Sequence, residues 1–280
     1  MKWIKKIVLG ILSFLLMDFI ILLVISVHLK GILVDGIMKE TIISQVTKRS
    51  VDDNQYVITE ETINQITEDE KIRELLGTKE VQDLMNKYLD LTIDSLIDED
   101  QIDQIEIEED IIEYLRDNKE TIEQIVGQEI TEEAIVQTEN EIKEKEFNLV
   151  YKQNLKNASN QLSTQEVTLL KGYKKVVSKT FQIILIILTI FDLLLIALIQ
   201  KSWYQWIKTF GSSLVSSGIS LIVLGIVFQI VLQRAANVSQ IMVYSLLKSS
   251  LIVLGCGIVI VFVYQFFEKK VKRSDSYDLS

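Results

Sequence analysis

The chain has 280 residues, 48% of them hydrophobic, and a formal net charge of −10. One cysteine, Cys256, and one histidine, His28, leave no material for an intrachain disulfide, a thiolate metal cluster or a Ser-His triad. The charge is segregated: 34 acids meet 17 bases between Lys30 and Ser178, against five acids and twelve bases elsewhere. The two parts therefore meet different environments.

The first element is an apolar run at Ile7–Val27, long enough to cross a bilayer, which needs about 20 residues. It is too long for a signal-peptide core, and no small-x-small cleavage site follows it, so it reads as an uncleaved anchor. It carries one acid, Asp18. Helical spacing continues past it through Leu29, Leu33 and Ile37, weakened by Gly31 and Gly36, which predicts a stalk.

The acidic region that follows reads as helices, about four to six of them, with no hairpin signal. Helix starts recur at "ITEE" from Ile58, "ITED" from Ile66 and "ITEE" from Ile130. In each the threonine is an N-cap and the acids after it complement the helix dipole. Gly77 and Gly127 stand where C-terminal caps are expected. Between them Val81, Leu84, Tyr88 and Leu91 recur at three and four, a buried helical stripe.

From Asp98 to Glu113 the chain carries nine carboxylates and no base. An EF-hand starting at Asp98 fails, because Ile102 holds ligand position 5 and Asp103 the position where the sharp turn requires glycine. Instead Ile102, Ile105, Ile112 and Leu115 fall near one face, which predicts an amphipathic helix with a charged wet side. The competing use is a docking face for a basic partner. No metal or cofactor is called for.

Ser163 and Glu166 form a capping box. Beyond them Val167, Leu170, Tyr173 and Val177 keep helical spacing into the next span, and Gly172 need not end a helix. A second stalk is expected, unbroken, lifting the acidic region about 24 Å over Thr164 to Lys179 at 1.5 Å per residue.

Three more apolar runs follow: Thr180–Ile199, Ser212–Leu232 and Ser249–Phe267. The first contains Asp192. An acid inside such a run is a functional or helix-pairing candidate. No Lys or Arg lies at the depth of Asp18 and Asp192, so the expectation is a neutral acid bonded to the other acid or to a hydroxyl such as Thr189. The GxGD signature of intramembrane aspartyl proteases is absent. In the third span Gly211, Gly218 and Gly225 are spaced by seven, and Ser213, Ser217, Ser216 and Ser220 add small residues, which predicts close helix packing. Self-association is the alternative use of that face. "GCG" at Gly255–Gly257 is the expected partner, with Cys256 inert.

Orientation follows Lys and Arg near the span ends. Nine lie on one side, at Lys2, Lys5, Lys6, Lys201, Lys208, Lys269, Lys270, Lys272 and Arg273, against Arg234 and Lys248 in the opposite short loop. Both termini are expected in the cytoplasm and residues 30–178 outside. Trp3, Trp203 and Trp206 would sit at the inner interface.

The expectation is thus an all-α integral membrane protein with four transmembrane helices and an acidic helical extracytoplasmic domain between the first two. Its parts are an N-terminal tail and first helix (1–29), the acidic domain with stalks (30–178), helices two to four (179–267) and a tail (268–280). The cytoplasmic share is too small for a nucleotide-binding or nucleic-acid-binding domain, and no P-loop or basic nucleic-acid surface is present. The leading reading is a non-enzymatic protein of the cell envelope, without a cofactor, whose outer domain binds or organises a protein partner. The alternative is a small oligomeric channel or transporter subunit using Asp18 and Asp192. The absence of proline, hence of the simplest helix break, counts against transport.

Overall fold

The computed structural model of the chain describes residues 2–34, 74–75, 77–127, 129–200, 204–236 and 243–277. Among these residues there is no strand. The helices, in chain order, are α1 (Lys2–Leu33), α2 (Lys79–Ile97), a 3-10 helix η1 (Glu99–Gln104), α3 (Ile107–Asp117), α4 (Lys119–Val126) and α5 (Glu132–Glu144). Then come α6 (Phe147–Ser159), α7 (Thr164–Val177), α8 (Lys179–Ile199), α9 (Gln205–Ala236) and α10 (Tyr244–Tyr277). The chain divides into two compact units, Met1–Gly36 with Lys175–Ser280, and Ile37–Lys174.

The first unit is a bundle of α1, α8, α9 and α10. All four helices are long and apolar enough to span a membrane. Their outward faces carry large apolar side chains: Leu198 is 81% exposed and Phe266 70%. Their inward faces mix large apolar side chains, such as Leu16, Ile196 and Leu221, with small polar ones, Ser26, Ser213, Ser217 and Ser250, all buried. Exposed apolar faces with small residues inside suit a lipid solvent, in which hydrophobicity cannot pull helices together and close contact must. The serines bond to backbone: Ser213 donates to Ser13 O at 3.3 Å, and Ser217 is shared between Met17 O at 3.2 Å and Ser213 O at 2.8 Å.

The second unit is built on α2. Thr78 caps it, its hydroxyl accepting from Val81 N and donating to Leu75 O. The stripe on α2 packs as its spacing predicts: Tyr88 joins Ile102, Ile105 and Leu155, with Leu84 and Leu91 against them. Thr131 caps α5 by accepting from Ala134 N at 3.2 Å. Gly127 closes α4 in the left-handed region, φ 73°, which glycine enters without a steric penalty. Gly77 has no such backbone, and the threonine after it starts α2. The starts expected at Ile58 and Ile66, and the first stalk beyond residue 34, lie outside the described residues.

Two expectations about continuity fail. The acidic run is not one helix. Ile102 and Ile105, 6% and 0% exposed, both turn into the α2 core. The chain reaches them by a 3-10 turn and extended backbone at Ile105 (φ −82°, ψ 122°) before α3 begins. Burial of two isoleucines three apart against one neighbour outweighs a regular amphipathic repeat. The second stalk is not continuous either. Gly172 stays within α7, but Ser178 adopts extended backbone (φ −68°, ψ 141°) and becomes the N-cap of α8. Its hydroxyl accepts from Phe181 N and donates to Lys175 O, so it satisfies a donor of one helix and an acceptor of the other. Serine competes with the ladder in this way, and apolar spacing alone does not reveal it.

Candidate functional site

The acidic run uses much of its charge inside its own unit. Five of its nine carboxylates, those of Asp98, Glu99, Glu108, Glu109 and Asp110, accept a hydrogen bond there. Glu99 accepts from Ser159 at 2.8 Å, which ties η1 to α6. Asp110 accepts from Tyr88 and pairs with Lys87, which ties α3 to α2. Burial, and then the bond to the Asp110 carboxylate, raise the Tyr88 phenol well above its ordinary range. The hydroxyl of Thr92 donates to Tyr88 O, so it takes the Tyr151 proton as acceptor, since a threonine has one hydrogen to give. This polar chain joins α6, α2 and α3 around the Tyr88 core. On α7, Lys174 pairs with Asp94 of α2, and burial together with nearby Asp90 raises Tyr173 to about 12.

The start of α3 and the start of α6 cap each other. Neither Glu106 nor Glu146, the residues before them, supplies a side-chain cap. Instead Asn148 Oδ1 accepts from Glu108 N at 3.2 Å, and Glu108 Oε1 accepts from Asn148 N at 2.9 Å. Asn148 Nδ2 donates to Glu109 at 3.0 Å, the main reason the Glu109 carboxyl is lowered. No local motif flags this pair, because the partners lie 40 residues apart.

The acids on the outer face of α5 are less fastened: Glu141 accepts only from Gln137 of its own helix at 3.3 Å, and Glu133 and Glu144 have no hydrogen bond among the described residues. Ile135, Glu139 and Ile142 are buried on its inner face, where Glu139 accepts from Arg116 of α3. The outer face presents Glu133, Glu141 and Glu144 around Val136, which is 49% exposed. These residues line an open depression along the helix.

In the bundle, the glycine heptads sit where α9 meets α10. A Cβ on Gly218 would lie 2.7 Å from Leu254 Cβ and 2.8 Å from its Cα. At Gly211 it would meet Ile260 and Val261, and at Gly225 the Leu247 side chain at 3.1 Å. From α10, Gly257 approaches the backbone: a Cβ there would lie 2.6 Å from Val215 N. Gly255 meets nothing within 4 Å, and Cys256 is exposed. His28 and Ser249 pair at 2.7 Å, which links α1 to α10.

The two acids within the apolar runs, Asp18 and Asp192, are not brought together. Asp192 is 3% exposed, on the stripe of α8 that also buries Leu185 and Ile196. Its Oδ2 has no hydrogen-bond partner among the described residues. Thr189 donates to Leu185 O instead. Leu16 and Ile20 of α1 pack with Ile196. Asp18 stands two residues from each, about 200° around the helix, and is half-buried. The expected bond from one acid to the other or to Thr189 is therefore absent. Comparison of the chain with family profiles, curated proteins and solved structures returns no match.

Proposed function

We propose that this is a non-enzymatic membrane protein of the cell envelope whose helical unit, Ile37–Lys174, stands outside the bilayer and docks a basic protein partner. The observation that carries this reading is the division of the acids. Those of the Asp98–Glu113 run largely fasten their own unit, whereas Glu133, Glu141 and Glu144 surround an exposed valine on α5. An apolar centre with a charged rim is the usual composition of a protein-binding patch. The test is a photo-crosslinking residue at Val136 in native membranes. The expected result is a discrete heterologous adduct that disappears when Glu141→Lys and Glu144→Lys are introduced. Adducts to the chain itself only, or adducts indifferent to those charges, refute the reading.

Topology is part of the proposal: termini inside, acidic unit outside, from the nine-to-two distribution of Lys and Arg. Single cysteines at Asn118 and Ser276 in a Cys256→Ser background, labelled on intact cells with an impermeant maleimide, test it. Labelling at 276 but not at 118 inverts it.

One observation favours a second reading, a proton- or cation-conducting subunit. A buried carboxyl with a free oxygen in an apolar bundle is costly, and such acids commonly serve ion pathways. Flux in proteoliposomes that stops in Asp192→Asn, with assembly intact, would establish that reading over the first.

A further inference from the structure

The bundle carries a second feature that packing does not explain. Between α9 and α10, beside the glycine seam, lies an open groove of about 340 Å³. Val215, Ile258 and Phe262 make it apolar, and Ser212, Ser216 and Gln265 add three polar side chains. All three are exposed and form no hydrogen bond with the described residues. If the four helices span a membrane, the solvent at this face is lipid, in which an unsatisfied polar group is expensive. A serine can turn to the carbonyl of its own preceding turn, but the amide of a glutamine has no such easy outlet. These groups call for an occupant that is apolar along its length and carries hydrogen-bonding groups at one end.

The charge beside the groove narrows the occupant. Lys208 stands four residues before Ser212, and Lys269 four after Gln265, so each lies on the face of its helix that lines the groove. Both are exposed. The Lys208 ammonium rests over the ring of Tyr264, the residue before Gln265, 5.7 Å from its centroid, so it is held between α9 and α10. The polar positions are graded in depth. Ser212 lies one turn inward of Lys208, and Val215 about 10 Å inward at 1.5 Å per residue. Glu268 is the acid beside Lys269, about 100° around α10 from it. Ser216 lies deeper, about 12 Å inward, and as a serine it can turn to its own helix, so the order along the groove is cation, then Ser212 and Gln265, then a mainly apolar stretch. An anionic phospholipid has the same order: phosphate, glycerol ester, acyl chain.

We infer that the α9–α10 groove binds one anionic phospholipid, its acyl chain along Val215, Ile258 and Phe262, its ester region at Ser212 and Gln265, and its phosphate between Lys208 and Lys269. This end of the helices is the one assigned to the cytoplasmic leaflet above, where anionic lipid is concentrated. The inference rests on the membrane-spanning reading but not on the partner of the acidic unit. Failure of the Val136 cross-link leaves it standing.

The experiment is native mass spectrometry of the full chain released from detergent micelles with phosphatidylglycerol or phosphatidylcholine of identical chains. One phosphatidylglycerol should be retained in preference to phosphatidylcholine. Lys208→Ala with Lys269→Ala should cut that preference about 30-fold, since each surface lysine near anionic lipid contributes about fivefold. Ser216→Leu with Ser212→Leu, which fills the groove from two exposed positions and keeps both charges, should also release the lipid. Equal retention of the two lipids by the unaltered chain overturns the inference. So does lipid loss on removing the lysines but not on filling the groove, because general surface attraction then suffices. Dimers that disappear on filling the groove overturn it in favour of a second copy of the chain.

Discussion

The glycine seam offers a sharp test of how this bundle is held, through Gly218→Ala set against Gly255→Ala. At Gly218 the new methyl would lie 2.7 Å from Leu254 Cβ, 2.8 Å from its Cα and 2.8 Å from its backbone nitrogen. Carbon atoms rest at about 3.5–4.0 Å. Two of the three atoms are backbone, so no rotamer change relieves the clash, and α10 must retreat by roughly 1 Å. A gap of about 0.5–1 Å forfeits a quarter to a half of each dispersion contact it opens. The expected cost is the ordinary one of overpacking, about 1–3 kcal/mol. Replacing a helical glycine by alanine also gains about 1 kcal/mol of propensity. Gly255→Ala has that gain alone, because nothing lies within 4 Å of its methyl. The propensity gain is common to both variants, so their difference reports the clash.

The assay is thermal loss of the monodisperse peak of the full chain in detergent. At about 2–4 °C per kcal/mol the two midpoints should separate by about 2–12 °C, Gly218→Ala being the lower. The ranking of the other sites is also fixed. Gly257→Ala, which meets backbone at 2.6 Å, should match Gly218→Ala. Gly225→Ala should be milder, because it meets the flexible end of Leu247 at 3.1 Å. Coincident midpoints for Gly218→Ala and Gly255→Ala would refute the reasoning.

Three further predictions concern polar groups. Asn148→Ala should speed amide exchange at the start of α3, 40 residues away, by about fivefold, the worth of a cap of about 1 kcal/mol; exchange altered only at the start of α6 would contradict the mutual cap. The Glu166 carboxyl, lowered by its bonds to Ser163, should stabilise the first turn of α7 fully above its ordinary value of 4.5 and lose that effect as pH falls through its lower folded value. Glu166→Gln should keep the box and abolish this pH dependence, read as intrinsic-rate-corrected exchange protection at residues 164–168. Asp192→Leu should leave thermal stability unchanged or raised, because Oδ2 has no partner to strand; a lowered midpoint would mean that a partner exists, whereas a raised one would mean that the acid is retained for something other than stability.

Features written in local spacing were legible in the sequence. The four long apolar helices, the Val81–Leu91 stripe, the Thr131 cap, the left-handed Gly127 and the Ser163–Glu166 box each depend on residues within about two turns. What depended on a distant neighbour was not legible. The Glu108–Asn148 pair links two helices whose own preceding residues do not cap them. The split of the acidic run follows from the burial of Ile102 and Ile105 against Tyr88, a choice made by tertiary contact. Gly255 and Gly257 are indistinguishable by type, yet two residues are about 200° of helix, so one faces α9 and the other open space. The same angle separates Asp18 from Leu16 and Ile20. Depths within about 6 Å of each other allowed a pair of acids, and helical phase turns Asp18 away from the face that packs on α8. Ser178 could have been suspected, because a serine with lysines beside it at the edge of a span is as good a cap as a helical residue.

The acid excess of the second unit then separates into two parts by helix polarity. A unit made of short helices has many starts, and each start leaves four backbone donors without an intrahelical partner. First-turn acids answer that need in α2, η1, α3, α4, α5 and α7. The exception is α6, which has no acid in its first turn, and it is there that Glu108 reaches across from α3. Acid near a helix start is thus accounted for by the fold. Glu141 and Glu144 lie instead in the last turn of α5, where the dipole disfavours negative charge by about 0.3–1 kcal/mol each, and only Glu141 has a partner there, Gln137 of the same helix at 3.3 Å. Their positions oppose local stability, they are exposed, and Val136 lies beside them. A charge placed against its own helix is best accounted for by something outside the unit. The proposed partner would approach α5, and Glu141 and Glu144 are the charges to reverse.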